Sequence, residues 1–289
     1  MANLIDAKLV SSFLPKRDEN SNKGSFGKVL NIAGSKMFSG AAFLSSISAL
    51  KVGAGFVTLA STDIVIDRIA SSIPELVYSS LNANDEGTIS SDNSISNLYD
   101  FDVISLGCGL TTNADTQKFV MRILKEFNNR QKVVIDADGI NILGLHKGEL
   151  SIKNSVITPH PKELARLLNV DLSEVLENRE KYARISAQTY ECITVLKGHN
   201  TIVTDGDKIY VNTSGNSALA KAGTGDVLTG IIAGLLAQNV KPFNAAMLAV
   251  FIHGLAGDIA SEDYTKYSVL ASDVLDYIPF AIQEIIENE

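Results

Sequence analysis

The sequence predicts an α/β fold built on a mostly parallel sheet with helices on both faces. Three observations predict it: short apolar runs recur with helical segments between them, one of those segments is strongly amphipathic, and a hairpin pattern follows the last run. The runs are Lys28 to Ala33, Phe56 to Ala60, Asp102 to Leu106, Lys132 to Ile135, Val156 to Thr158 and Ile193 to Leu196. Between the third and fourth, Ala114 to Phe127 puts Val120, Ile123, Leu124 and Phe127 on one face, the spacing of a helix that covers a sheet. A further helix is expected to start near Asp171. Thr201 to Thr204, the turn Asp205-Gly206 and Asp207 to Asn212 read as a hairpin, so the sheet is expected to end in antiparallel strands. From Asp226 to about Ser261 nearly every residue is small or apolar, with Gly230, Gly234, Gly254 and Gly257 spaced through it, which predicts two tightly packed buried helices.

The chain has 289 residues, 45% of them hydrophobic, enough for a large core, and shows no repeat, linker or low-complexity block. One domain over 1–289 is expected, with 1–22 as an extension packed on it. The formal net charge of −8 disfavours nucleic acid and anionic membranes as partners, since both attract basic surfaces. No apolar run in the sequence reads as approaching the roughly 20 residues that span a bilayer, and Met1 to Ser25 lacks the basic-then-apolar order of a signal peptide, so a cytoplasmic protein is expected. Cys108 and Cys192 each adjoin a strand-like run without a paired metal-ligand motif, which predicts buried, reduced thiols.

The segment most suggestive of chemistry is Gly215 to Leu228, Gly-Asn-Ser-Ala-Leu-Ala-Lys-Ala-Gly-Thr-Gly-Asp-Val-Leu. Gly223 and Gly225 can reach backbone angles closed to other residues, so successive N–H groups can converge, and the helix expected near Asp226 adds its positive end. Phosphate suits such an anion hole. A carboxylate beside phosphate is repulsive unless it has another task, and accepting a proton makes Asp226 the candidate catalytic base. The P-loop pattern is absent. Gly107-Cys108-Gly109-Leu110-Thr111-Thr112 matches half of a dinucleotide fingerprint, with Thr112 where the third small residue belongs; a tight turn and a ligand contact both remain open. Asp138 and Asn141 follow a strand at the edge where open α/β sheets place ligands, though both types also cap helices. His160 stands between two prolines that restrict its backbone. His146 and His253 read as structural.

Taken with Asp136-Ala137-Asp138-Gly139-Ile140-Asn141, Thr158 to Glu163 and Lys197-Gly198-His199-Asn200-Thr201, these motifs make the chain resemble the ribokinase-like superfamily. Within it, the chain is similar to the ADP- or ATP-dependent NAD(P)H-hydrate dehydratases. The matched patterns are Gly-Asn-x-x-x-Ala-x-x-Gly-Thr-Gly-Asp and Thr-Pro-His-x-x-Glu, and the resemblance covers nearly everything after about Lys23. It implies a three-layer α/β/α sandwich and a repair reaction. The S form of hydrated NADH or NADPH would be phosphorylated on its ring hydroxyl by ADP or ATP and then lose phosphate, leaving AMP or ADP. Asp226 would take the hydroxyl proton, and backbone N–H groups through Gly223, Thr224 and Gly225 would stabilise the transferring phosphoryl group. Lys197, Gly198, His199, Asn200, Thr201 and Gly225 would receive the nucleotide. Ala41, Gly107, Gly109, Asp138, Asn141 and His160 would line the hydrate side. Glu163 would hold Mg2+ through water, because His160 replaces the Asn of the related Asn-x-x-Glu motif. A homotetramer and a separate epimerase are also implied. Two competing readings share the fold: a kinase of a small alcohol or vitamin precursor, and a nucleotide sensor without turnover.

Overall fold

The computed structural model describes residues 3–126, 131–148, 150 and 152–287. Its strands are β1 (Asn3–Ile5), β2 (Lys28–Ile32), β3 (Phe56–Thr62), β4 (Val77–Leu81), β5 (Val103–Leu106), β6 (Lys132–Ile135), β7 (Val156–Ile157), β8 (Ile193–Leu196), β9 (Thr201–Thr204) and β10 (Ile209–Asn212). The helices are α1 (Ala7–Ser11), α2 (Ser39–Lys51), α3 (Asp63–Ile69), α4 (Ala114–Glu126), α5 (Ala137–Leu145), α6 (Pro161–Leu168), α7 (Leu172–Glu177), α8 (Arg179–Tyr190), α9 (Thr224–Ala237), α10 (Pro242–Asp263) and α11 (Ala271–Glu287).

One sheet joins the strands in the order β1-β10-β9-β8-β7-β6-β5-β2-β3-β4. Residues alternate across it. Val29, Val57, Val103, Val134, Val156 and Val195 pack towards α2, α9, α10 and α11, while Leu30, Ile32, Ile104, Leu106, Ile135 and Leu196 pack towards α4, α5, α6 and α8. Strands buried on both faces need continuous apolar sequence, which is why the six runs were visible. The three-layer arrangement implied by the ribokinase-like resemblance is present.

The edge differs from expectation. The hairpin β9–β10 is there, with Thr204 opposite Ile209 across the Asp205-Gly206 turn, but the sheet does not end on it. β1 pairs in parallel with β10, Asn3 to Tyr210 and Ile5 to Asn212, so among the described strands β9 alone runs against the others. At the opposite edge β4 extends β3 in parallel. The amphipathic helix is α4; Phe127, expected on its face, lies outside the described residues. The helix expected near Asp171 starts at Leu172, and α8 follows it directly.

The Gly-rich segment forms α9 and α10 as expected. Contrary to the reading of apolar runs, α10 is 22 residues long with a mean hydropathy of 1.5 over its most apolar window, enough by length and composition to cross a membrane. That window is 61% buried against the protein, as in a core helix. α9 lies close on α2 because glycines face it: a Cβ at Gly230 would stand 2.1 Å from the Ser45 carbonyl oxygen and 2.0 Å from Ser48 Oγ. Gly230→Ala is therefore expected to cost about 1–3 kcal/mol through overpacking. A urea unfolding curve with an unchanged midpoint would contradict that packing.

Candidate active site

β2, β5, β6, β7 and β8 all point their carboxyl ends to one edge of the sheet, so the loops after them form one wall, with Asp136, Thr158 and Lys197 on adjacent turns. α9 packs over β5 and β6 and brings its amino end to the same place. Gly223 caps it with φ at 93°, a left-handed conformation that favours glycine. Thr224 is turned back on the preceding loop, its hydroxyl donating to the carbonyls of Leu219 and Lys221 at 2.8 and 2.9 Å. The N–H groups of this first turn, which a helix leaves without internal acceptors, thus start at the cleft beside Gly225.

Beneath that turn lies a buried ion pair. Lys197 Nζ donates to Asp136 Oδ1 at 2.6 Å and lies 4.0 Å from Glu163 Oε2, while Thr229 Oγ1 donates to Asp136 Oδ2 at 2.8 Å. Burial pushes the Asp136 carboxyl up, but the Lys197 ammonium outweighs it and holds the group below the usual carboxylate range. Burial likewise pulls Lys197 down, and Asp136 with Glu163 more than restores it. A Cβ on Gly225 would stand 3.4 Å from Lys197 Nζ, which puts the ammonium directly under the first turn of α9.

Asp226 sits in the first turn of α9, half-buried. Burial, followed by repulsion from Asp136, pushes its carboxyl up to about 6. Cys108 Sγ lies 3.9 Å from Asp136 Oδ2 and also hydrogen-bonds Asp226, and burial pushes this thiol well up. Both cysteines are free and buried, as expected, but Cys108 stands between the two carboxylates.

His160 and Glu163 cap α6 reciprocally. Glu163 N–H donates to His160 Nδ1 at 3.2 Å, and His160 N–H donates to Glu163 Oε2 at 2.7 Å. With Nδ1 accepting, a neutral ring carries its proton on Nε2, which is 3.4 Å from Glu163 Oε1. Burial and then Lys197 lower the imidazole below its ordinary value, and burial pushes Glu163 up to about 7. The side chain of His160 remains half exposed.

The 107–112 loop is tied to the sheet by close packing. A Cβ on Gly107 would stand 1.9 Å from the Asp136 carbonyl oxygen, and one on Gly109 would meet Phe38 and Ala41 at 2.7 and 2.9 Å. Asp138 Oδ2 accepts from Thr111 N–H at 2.8 Å and Oδ1 from Asn141 at 3.4 Å, so these two residues brace the loop. Ala41 is half-buried beside it.

On the other side of Asp226 a cavity of about 460 Å3 is lined by all of Lys197 to Thr201, by Asn212 and Ser214 to Ser217, and by Gly225 and His253. The 197–201 turn is held from behind: Arg179 donates to the carbonyls of Leu196, Lys197 and His199. Asp258 likewise accepts from Gly215 N–H and Asn216 Nδ2. His253, expected to be structural, is on the cavity wall with Nε2 unpartnered among the described residues, and burial pulls it down to about 4.

The structure thus brings Gly223, Thr224, Gly225, Asp226, His160, Glu163 and Lys197 together around one cleft. Thr229, Arg179 and Asp258 escaped sequence reasoning, as did the pairing of Asp136, the carboxylate that ends an apolar strand, with Lys197. Cys108 Sγ and one oxygen each of Asp136 and Asp226 lie within 4.8 Å of one another. The trio suits magnesium poorly, because sulfur is soft and Asp136 is already engaged by Lys197 and Thr229; Glu163 offers oxygen donors only, with Oε2 already accepting from His160 N–H.

A family model described as NAD(P)H-hydrate dehydratase matches residues 29–280. The bifunctional NAD(P)H-hydrate repair enzyme Nnr of Moorella thermoacetica is 36% identical over 291 residues, covering 99% of this chain and 54% of that protein. The chain spans about half the length of the bifunctional relatives it matches. The ADP-dependent (S)-NAD(P)H-hydrate dehydratase of Listeria monocytogenes is 32% identical, covering 99% of this chain and 98% of its own. The crystal structure of ADP/ATP-dependent NAD(P)H-hydrate dehydratase from Bacillus subtilis, co-crystallised with ATP and Mg2+, superposes with a TM-score of 0.86 at 29% identity, covering 98% of this chain and 99% of that one.

Proposed function

Because the chain belongs to the NAD(P)H-hydrate dehydratase family, we propose that it dehydrates the S form of hydrated NADH or NADPH at the expense of ADP or ATP, acting as one domain over its length. The observation that carries this reading is a single carboxylate, Asp226, between an anion-binding helix start and a cavity lined by the whole 197–201 motif.

In the proposed reaction the nucleotide occupies that cavity, with its phosphates over Gly223 to Gly225 and the Lys197 ammonium beneath them. Asp226 accepts the proton of the ring hydroxyl as that oxygen attacks the terminal phosphorus, and the bond to the departing AMP or ADP breaks. The phosphorylated oxygen then leaves as phosphate, pushed out by the ring nitrogen, and loss of a proton from the neighbouring ring carbon restores the dihydronicotinamide. His160, held by its cap, positions the ring; Ala41, Gly107, Gly109, Asp138 and Asn141 form the hydrate's wall. Glu163 is the candidate contact for Mg2+, through water, and the ion when bound would neutralise phosphate charge. The homotetramer implied by the resemblance, and the cytoplasmic setting expected from the sequence, belong to this proposal. The bifunctional naming of longer relatives supports a functional link to a second repair activity.

The test is hydrated NADH with magnesium and each nucleotide. Restored dihydronicotinamide absorbance with free inorganic phosphate is expected, whereas a stable phosphoester would indicate a kinase. Since the base must be ionised, kcat/KM is expected to fall on the acid side around pH 6, following Asp226. A profile flat from pH 5 to 8 would remove Asp226 from the role.

A further inference from the structure

Two ligands that react at Asp226 must reach it from different sides. The nucleotide cavity lies over the ends of β8, β9 and β10, and Asp226 over β5 and β6. On the opposite side a second cavity, of about 660 Å3, opens over the loops that follow β2, β4 and β5. Its lining includes Ser35, Lys36, Asp85, Glu86, Thr111 and Asn113.

Ser35 is 1% exposed, yet its Oγ has no partner among the described residues, and the same holds for the buried Oγ1 of Thr111. Two orphaned hydroxyls on one cavity wall leave hydrogen-bonding capacity for a ligand to meet. Thr111 N–H donates to Asp138 Oδ2, so this wall is continuous with the proposed hydrate cleft. Lys36 is exposed at the rim, its stem against Gly87, and an ammonium beside hydroxyl donors suits phosphate oxygens. Glu86 is held in place by Asn113 Nδ2 at 2.9 Å. Strands about 4.8 Å apart put the β5 and β2 side of the cavity about 5–10 Å, and its β4 side about 19 Å, along the sheet from the strand that ends at Asp136. That is the direction in which a dinucleotide must extend from a nicotinamide ring at Asp226.

We propose that this cavity holds the diphosphate and adenosine ribose of the hydrated dinucleotide, with Ser35, Lys36 and Thr111 as donors, and that Asp85 and Glu86 make it select NADH over NADPH forms. The proposal rests on the dehydratase reading and adds its substrate specificity. Carboxylates accept hydrogen bonds from ribose hydroxyls and repel a 2′-phosphate.

Fluorescence titration with NADH, and with dihydronicotinamide riboside as a probe that lacks phosphates, tests it without turnover. Lys36→Ala is expected to weaken NADH about tenfold, the loss of roughly one charge-assisted contact, and the riboside less than twofold. Ser35→Ala, removing one buried oxygen, should weaken NADH in the same selective way. Asp85→Asn combined with Glu86→Gln is expected to raise NADPH affinity relative to NADH about tenfold. Equal weakening of both probes, no weakening, no NADH binding by wild type, or a wild-type preference for NADPH would overturn the assignment. A protein that binds in the expected pattern but does not dehydrate keeps the cavity and refutes the dehydratase reading. One that dehydrates with unchanged ratios refutes the cavity alone.

Discussion

Asp226→Asn is expected to lower kcat by about 10³-fold, within the range of general-base contributions, while nucleotide affinity changes only a few-fold. The amide keeps the shape and the helix start but cannot accept the hydroxyl proton. The same substitution is expected to stabilise the fold at pH 8. The folded carboxyl titrates at about 6 against an ordinary 3.8, so ionising it in place opposes folding. That opposition is absent below pH 3.8, grows through the interval, and is complete above about 6. Removing it should add roughly 1–3 kcal/mol at pH 8 and nothing at pH 3.5. Single-turnover kinetics and urea unfolding at the two pH values check both halves. Undiminished turnover would sink the assignment of the base, and a loss of stability at pH 8 would contradict the environment assigned to it.

Lys197→Met is expected to be the most destabilising of the site substitutions, by about 3–5 kcal/mol at pH 7, because Asp136 would remain buried and ionised without its partner. Adding Asp136→Asn to that variant should recover most of the loss, since no uncompensated charge is left. The wild-type pair has the opposite pH sign to Asp226. Asp136 is held below its ordinary 3.8, so its contribution is complete above that value and disappears as pH falls through the lower folded one. Urea midpoints for the single and double variants at pH 7 decide the matter; a single variant within 1 kcal/mol of wild type would show that Asp136 is satisfied without Lys197. Both variants should also lose nucleotide turnover, since the ammonium under Gly225 goes with the pair.

What the sequence revealed followed from residues whose pattern and environment coincide. Val133 to Ile135, and Val29, Leu30 and Ile32 around the single buried amide of Asn31, are apolar on both faces because both faces are covered, and Gly230 and Gly234 announce helices in close contact. β1 and β4 carried no such pattern. Asn3-Leu4-Ile5 has three residues, and Val77 to Leu81 contains two serines on a partly exposed edge. At the site, glycines and prolines marked the loops, so Gly223 to Asp226 and Thr158 to Glu163 stood out. The pairing of Asp136 and the bracing by Arg179 did not, since they depend on partners 61 and 20 residues away, Lys197 and His199. Cys108 was legible as buried but not as lying between two carboxylates, a juxtaposition that exists only once β5, β6 and α9 meet.

The short parallel strand on the outer flank of β10 has a consequence for how copies of this protein behave at high concentration. It pairs along Tyr210 to Asn212, an edge that a stray extended segment would otherwise meet, and the described strand offers outward three residues, a brief template for fibril-like stacking.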